Sequence, residues 1–204
     1  LDYFSKDPVY RPFHHNQLTF SQMYAYSENF ILPFSHDEVV HLKGSLAGKM
    51  PGDDWQKMAN LRLLLRYQWL HPGKKLLFMG CDFGQWTEWN DATGLPWHLC
   101  DEPNHRGVMQ LVRELNQLYR RESALHQRDF EPEGFGWIDC HDYSQSVISF
   151  ARYGTDDALV CAFNFTPVPR HHYRLGLPGD GEYQEVFNSD SSWYGGSNLG
   201  NNGM

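Results

Sequence analysis

The 204 residues lack several features that would point to particular chemistries. No run approaches the ~18 apolar residues of a membrane-spanning helix, and no basic stretch leads into an apolar one. No lysine or arginine cluster exists, and the formal net charge is −8. That balance argues against nucleic acid or an anionic membrane surface as partner. The four cysteines, Cys81, Cys100, Cys140 and Cys161, form no C-x-x-C pair, which speaks against a zinc site or a thioredoxin motif. They read as small core hydrophobes of a reduced, soluble, cytoplasmic protein, with an extracellular disulfide pair as the alternative. No Gly-rich phosphate loop follows a strand, and no repeat or low-complexity segment is evident. His14 and His15 are neighbours whose side chains diverge on a helix or strand. No carboxylate or cysteine nearby completes a ligand set, so no metal is expected.

What the chain does have is aromatic surface. Seven Trp, eleven Tyr and thirteen Phe exceed the needs of one core, although most must still be core. Aromatic faces suit the apolar faces of sugar rings. The densest chemistry lies in 29–44. There the apolar run Phe30-Ile31-Leu32 leads through Pro33 and Phe34 into Ser35, His36, Asp37, Glu38, His41 and Lys43. An apolar run that ends in packed polar residues reads as a buried parallel strand delivering side chains to a sheet rim. The alternative is a strand followed by a solvated loop. A serine-protease relay is excluded for Ser35, His36 and Asp37, because neighbours on one strand cannot form its geometry.

Helical period follows. Asp53 with Gln56 three positions on forms a capping-box pattern opening a helix over 54–71. Met58, Leu61, Leu65 and Trp69 make its core stripe, and Pro72-Gly73 ends it. A second helix is expected over 105–122, with Val108, Leu111, Val112, Leu115 and Leu118 on one face. A helix is also expected within 16–28. The run 75–80 reads as a strand. The segment 81–104 has no period and holds Trp86, Glu88, Trp89, Asn90 and Trp97. A loop this long in a compact domain is usually functional. Beyond about 124–130 the period becomes two. Strands are expected at 135–139, 146–153, 158–165, 172–177 and 182–187, an antiparallel β-sandwich pattern. The Gly/Ser/Asn-rich tail from 195 is expected to be a poorly ordered end.

Phe-Ile-Leu-Pro-Phe-Ser-His-Asp-Glu-Val-Val-His (30–41) resembles the strand-seven motif of the α-amylase superfamily, in its branching-enzyme form. Asp7-Pro8-Val9-Tyr10-Arg11, Met50-Pro51-Gly52-Asp53-Asp54-Trp55, Pro72-Gly73-Lys74-Lys75-Leu76-Leu77-Phe78-Met79-Gly80 and Asn164-Phe165-Thr166-Pro167-Val168-Pro169-Arg170 extend the likeness over essentially the whole chain. The resemblance implies an α/β plus all-β architecture. Residues 1–123 would be the last strands and helices of a catalytic (β/α)8 barrel, and 124–204 a C-terminal antiparallel β-sandwich truncated at its end. It implies cleavage of α-1,4 glucan links and transfer to a 6-hydroxyl, as in glycogen synthesis.

By resemblance, His36 and Asp37 stabilise the transition state, while Glu38, Trp86, Trp89 and Trp97 are candidate substrate contacts. The nucleophilic Asp and acid Glu of the family belong to strands outside this chain, so this piece would be inactive alone. Glycogen or amylose is the implied partner, a monomer the implied state, and no cofactor is needed. Three positions depart from the family pattern: Leu42 where Gly is common, and Cys81 and Asp82 where Asn and Glu are usual. Two alternatives stand beside this reading. One is a hydrolase of the same superfamily, of trehalohydrolase or amylase type. The other is a non-catalytic glucan-binding module.

Overall fold

The computed structural model describes residues 1–201. Its first part is built on two parallel strands, β1 (Ile31–Phe34) and β2 (Lys74–Leu77), paired with Ile31 opposite Lys74 and Phe34 opposite Leu77. Between them runs helix α2 (Asp54–Leu70). The expected capping box is present: the Asp53 carboxylate accepts from the Gln56 N–H, and the Gln56 side chain accepts from the Asp53 N–H, both at 2.9 Å. Met58, Leu61, Leu65 and Trp69 are all buried, and the helix stops before Pro72 with Gly73 at φ 111°. Gln68 ties the helix to both strands, donating to the Leu32 carbonyl at 2.8 Å and the Leu76 carbonyl at 3.0 Å.

β1 is less buried than its apolar run implies. Ile31 is 55% exposed, and only alternate residues turn inward. The cause is that β2 covers one edge of it, and no strand among the described residues pairs with the other. β2 ends at Leu77 rather than at residue 80, although the Phe78 N–H still reaches the Phe34 carbonyl at 2.8 Å.

Helix α3 (Pro103–Arg121) packs on α2, with Val108, Leu111, Leu115 and Leu118 inward. The Trp69 indole donates to the Asn116 side chain at 3.2 Å across that interface. The helix expected within 16–28 shrinks to a single α-helical turn, α1 (Asn16–Thr19), and a 3-10 turn over Phe20–Met23. Only Leu18 there is buried, whereas Phe20 and Met23 are exposed. Mixed apolar spacing offers no single face to bury, so nothing drives a longer helix.

A three-stranded antiparallel sheet follows, in the order β3 (Phe135–Asp139), β4 (Val147–Tyr153), β5 (Ala158–Asn164), with a register shift between Trp137 and Asp139. β4 is central and buried along nearly its whole length. The strands expected at 172–177 and 182–187 do not form; both segments are irregular and mostly exposed. Their alternation is carried by residues such as Arg174, Glu182 and Glu185, with too little apolar surface to bury a face. The tail from 195 is also more ordered than expected, as far as it is described. Asp190 gathers it, its carboxylate accepting from the N–H groups of Ser197 and Leu199 at 3.1 and 3.0 Å. Tyr194 is buried and donates to Glu114, and the Trp55 indole donates to the Gly195 carbonyl at 3.1 Å. Residues 202–204 of that tail lie outside the described residues.

One buried ionic knot joins the two sheets. The Asp129 carboxylate accepts from Arg152 at 2.7 Å, Tyr119 at 2.8 Å and Lys74 at 2.9 Å. Arg152, on β4, is fully buried and also donates to the Leu70 carbonyl at the end of α2 at 2.9 Å. Burial raises the Asp129 carboxyl, but Lys75, Lys74 and Arg152 outweigh it and hold it below its ordinary value.

Candidate functional site

The end of β1 turns at once into a short 3-10 segment, His36–Glu38, and the sequence explains why. Ser35 caps it, its hydroxyl accepting from the Asp37 N–H at 3.2 Å. The Glu38 carboxylate folds back and accepts from the Ser35 N–H at 2.6 Å and the Ser35 hydroxyl at 3.1 Å. This reciprocal cap fixes the direction in which the next residues point. His36 and Asp37 stand outside it as neighbours, Nε2 to Oδ1 3.4 Å, with side chains 60% and 70% exposed. They are two polar groups presented to solvent at a strand end, while Glu38 is spent on the backbone.

The aromatic residues of 81–104 separate into different places. Trp89 lies behind the pair: its ring meets Phe78 edge-on at 5.3 Å, and Phe78 lies 6.2 Å from the His36 ring. Trp86 is half-buried against His105, with ring centroids 5.3 Å apart. Trp97 is 63% exposed and packs on Phe83 at 5.4 Å. Cys81 is a core residue, and burial first, then Asp82 and Glu38, push its thiol up to about 12. A thiol so raised packs and does not attack.

Residues 36–45 lean on 86–89. The Val39 carbonyl accepts from the Trp89 N–H at 3.0 Å, and the Ser45 hydroxyl donates to the Trp86 carbonyl at 2.8 Å. Glu88 accepts from the Leu42 N–H at 3.1 Å and the Gly44 N–H at 2.8 Å. Lys43 donates to the Asp37 carbonyl at 2.6 Å, and Lys49 to the carbonyls of Glu38 and Gly44. The sequence placed Glu88 in a functional loop but gave no sign of this bracing, which spans 46 residues.

Residues 137–204 match the family model described as the alpha amylase, C-terminal all-beta domain. The segment so matched follows a parallel β-strand pair whose end carries the exposed His36-Asp37 pair. The whole chain is 66% identical to part of the 1,4-alpha-glucan branching enzyme GlgB of Hydrogenovibrio crunogenus, covering 28% of that protein. Over 98% of its length it is 64% identical to the enzyme of the same name from Thiobacillus denitrificans, covering 27% of it. The Aquifex aeolicus enzyme of that name is 60% identical over the whole chain, which covers 32% of it. The chain therefore spans about a third or less of the length of these relatives. The likeness to branching enzymes first carried by residues 30–41 holds along the full sequence.

Proposed function

We propose that the chain is a segment of a 1,4-α-glucan branching enzyme, a retaining glycosyltransferase that cuts α-1,4 links and transfers the cut chain to a 6-hydroxyl. The observation that carries this is the 60–66% identity to branching enzymes from end to end. The capped His36-Asp37 turn at the tip of a parallel strand gives that identity a chemical focus. In this reading β1 and β2 are neighbouring strands of a (β/α)8 barrel whose C-terminal part occupies 1–123. The sheet β3–β5 is one layer of a β-sandwich beginning near residue 124. Strand-end residues are where such barrels place their chemistry.

Retaining transfer needs a nucleophilic carboxylate and an acid about 5–5.5 Å apart, here supplied by the rest of the polypeptide. Asp37 and His36 act on the sugar instead. As the anomeric centre gains positive charge, the hydroxyls on its ring become better donors. An ionised Asp37 then binds them more tightly than in the ground state, and His36 donates to a neighbouring oxygen. Such a charge-assisted bond lowers the barrier by about 2–3 kcal/mol, on the order of 10² in rate. Of the three Trp candidates only Trp97 is exposed enough to meet a glucan, while Trp86 and Trp89 pack against the core and Glu38 orients the pair through Ser35. Carboxylates and hydrogen bonds suffice, so the reaction calls for no cofactor. The enzyme acts as a cytoplasmic monomer on glycogen or amylose.

The test is incubation of the full-length polypeptide with amylose. New α-1,6 links, released as short chains by a debranching enzyme, without a matching rise in reducing ends, support the reading. Reducing ends without new branches place the protein among the hydrolases and overturn it.

A further inference from the structure

Resting on the proposed branching activity, we infer that Glu88 is a positioning residue. It holds the loop behind Asp37 in a conformation the loop would not keep alone. The loop's backbone is unusual: His41 and Leu42 both adopt positive φ, 58° and 66°, and Gly44 follows at 71°. Left-handed backbone is unfavourable for residues with a Cβ. Leu42 recovers nothing by burial, being 99% exposed. Something else must hold this turn, and the structure shows what does. The two oxygens of the Glu88 carboxylate take one N–H each, Oε1 from Leu42 at 3.1 Å and Oε2 from Gly44 at 2.8 Å.

The residue between them is Lys43, whose ammonium reaches back to the Asp37 carbonyl at 2.6 Å. The chain of contacts thus runs from Glu88 through the clamped amides to Lys43 and then to Asp37. The neighbouring bond from the Trp89 N–H to the Val39 carbonyl keeps Glu88 in register with the loop. Hydrogen bonds from the Gly44 and Leu42 amides hold the Glu88 carboxyl below its ordinary value, so it is ionised at neutral pH. Glutamine in its place accepts through one oxygen and turns an NH2 group towards the second N–H. One of the two bonds is lost and a donor faces a donor.

The experiment compares wild type, E88Q, L42G and E88Q/L42G in the full-length polypeptide, reading kcat, KM and the thermal midpoint. Misplacing a group by about 1 Å can cost up to 10²-fold, so E88Q is expected to lower kcat at least about tenfold with KM within about twofold. The thermal midpoint is expected to be unchanged. Glycine adopts positive φ freely, so L42G is expected to restore part of the E88Q loss while leaving the wild-type rate alone. An unchanged kcat in E88Q overturns the inference. So does a loss that matches the fraction unfolded, or one that L42G does not relieve. A wild-type protein with no branching activity overturns the underlying reading as well.

Discussion

Replacing Asp129 by asparagine should unfasten the two halves of the molecule. The carboxylate sits among Arg152, Lys74, Tyr119 and the Gly73 N–H, and its side chain has no solvent exposure. Its partner Arg152 is also fully buried. The amide keeps the size of the side chain but removes the charge, leaving a guanidinium in the interior without a counter-ion. Three of the Arg152 contacts survive, to the carbonyls of Gly134, Leu70 and Leu125. These satisfy donors but do not neutralise charge. Breaking a buried pair from one side costs roughly 3–5 kcal/mol, a large part of the stability of a typical domain. The assay is urea unfolding of wild type and D129N at pH 7. The same pair predicts acid sensitivity. The Asp129 carboxyl is held below its unfolded value of about 3.9. Its contribution is therefore complete above that value and disappears as pH falls through the lower folded value. D129N should lose this acid-linked part of the stability curve. A loss below about 1 kcal/mol, with an unchanged acid limb, would refute the claim that this knot joins the sheets.

Two further outcomes follow from packing. Gly107→Ala should destabilise the protein by about 1–3 kcal/mol in urea unfolding, because a Cβ there would lie 2.5 Å from the Tyr194 carbonyl oxygen, which is fixed backbone. A neutral result would mean that the 188–198 segment is not seated on α3. Cys81 and Cys161 should resist iodoacetamide at pH 8 until denaturant is added. Both are buried, and burial pushes each thiol up to about 12. Mass spectrometry showing rapid labelling of either in the native protein would contradict the packing described.

The sequence was most informative where structure is local. The stripe from Met58 to Trp69 and the Asp53–Gln56 box specified α2 almost to the residue, since both depend on spacing within one turn or two. β3, β4 and β5 were legible because apolar alternation and turn residues coincide, as at 154–157, where the Gly154 N–H closes on the Asp157 carbonyl at 2.9 Å. The segments 172–177 and 182–187 show the limit of that signal. Alternation marks a possible strand, but a strand also needs a partner and a face to bury. The features missed altogether join residues far apart in sequence. Asp129 meets Arg152 and Lys74 across 23 and 55 positions, and Glu88 meets Leu42 across 46. No periodicity encodes such pairs. The pattern of an apolar run ending in packed polar residues marked the cluster from Ser35 to Lys43 as a whole, and only the resemblance of 30–41 to a family motif singled out His36 and Asp37 within it.

The most direct test of the central claim is the branching rate of Asp37→Asn in the full-length polypeptide. Asparagine keeps the shape of the turn, whose cap uses Ser35 and Glu38 and the backbone of residue 37, not its side chain. It removes the charge that the reading places against the developing positive centre. The account predicts a fall in kcat on the order of 10² or more with the fold intact. Near-normal branching by D37N would contradict it.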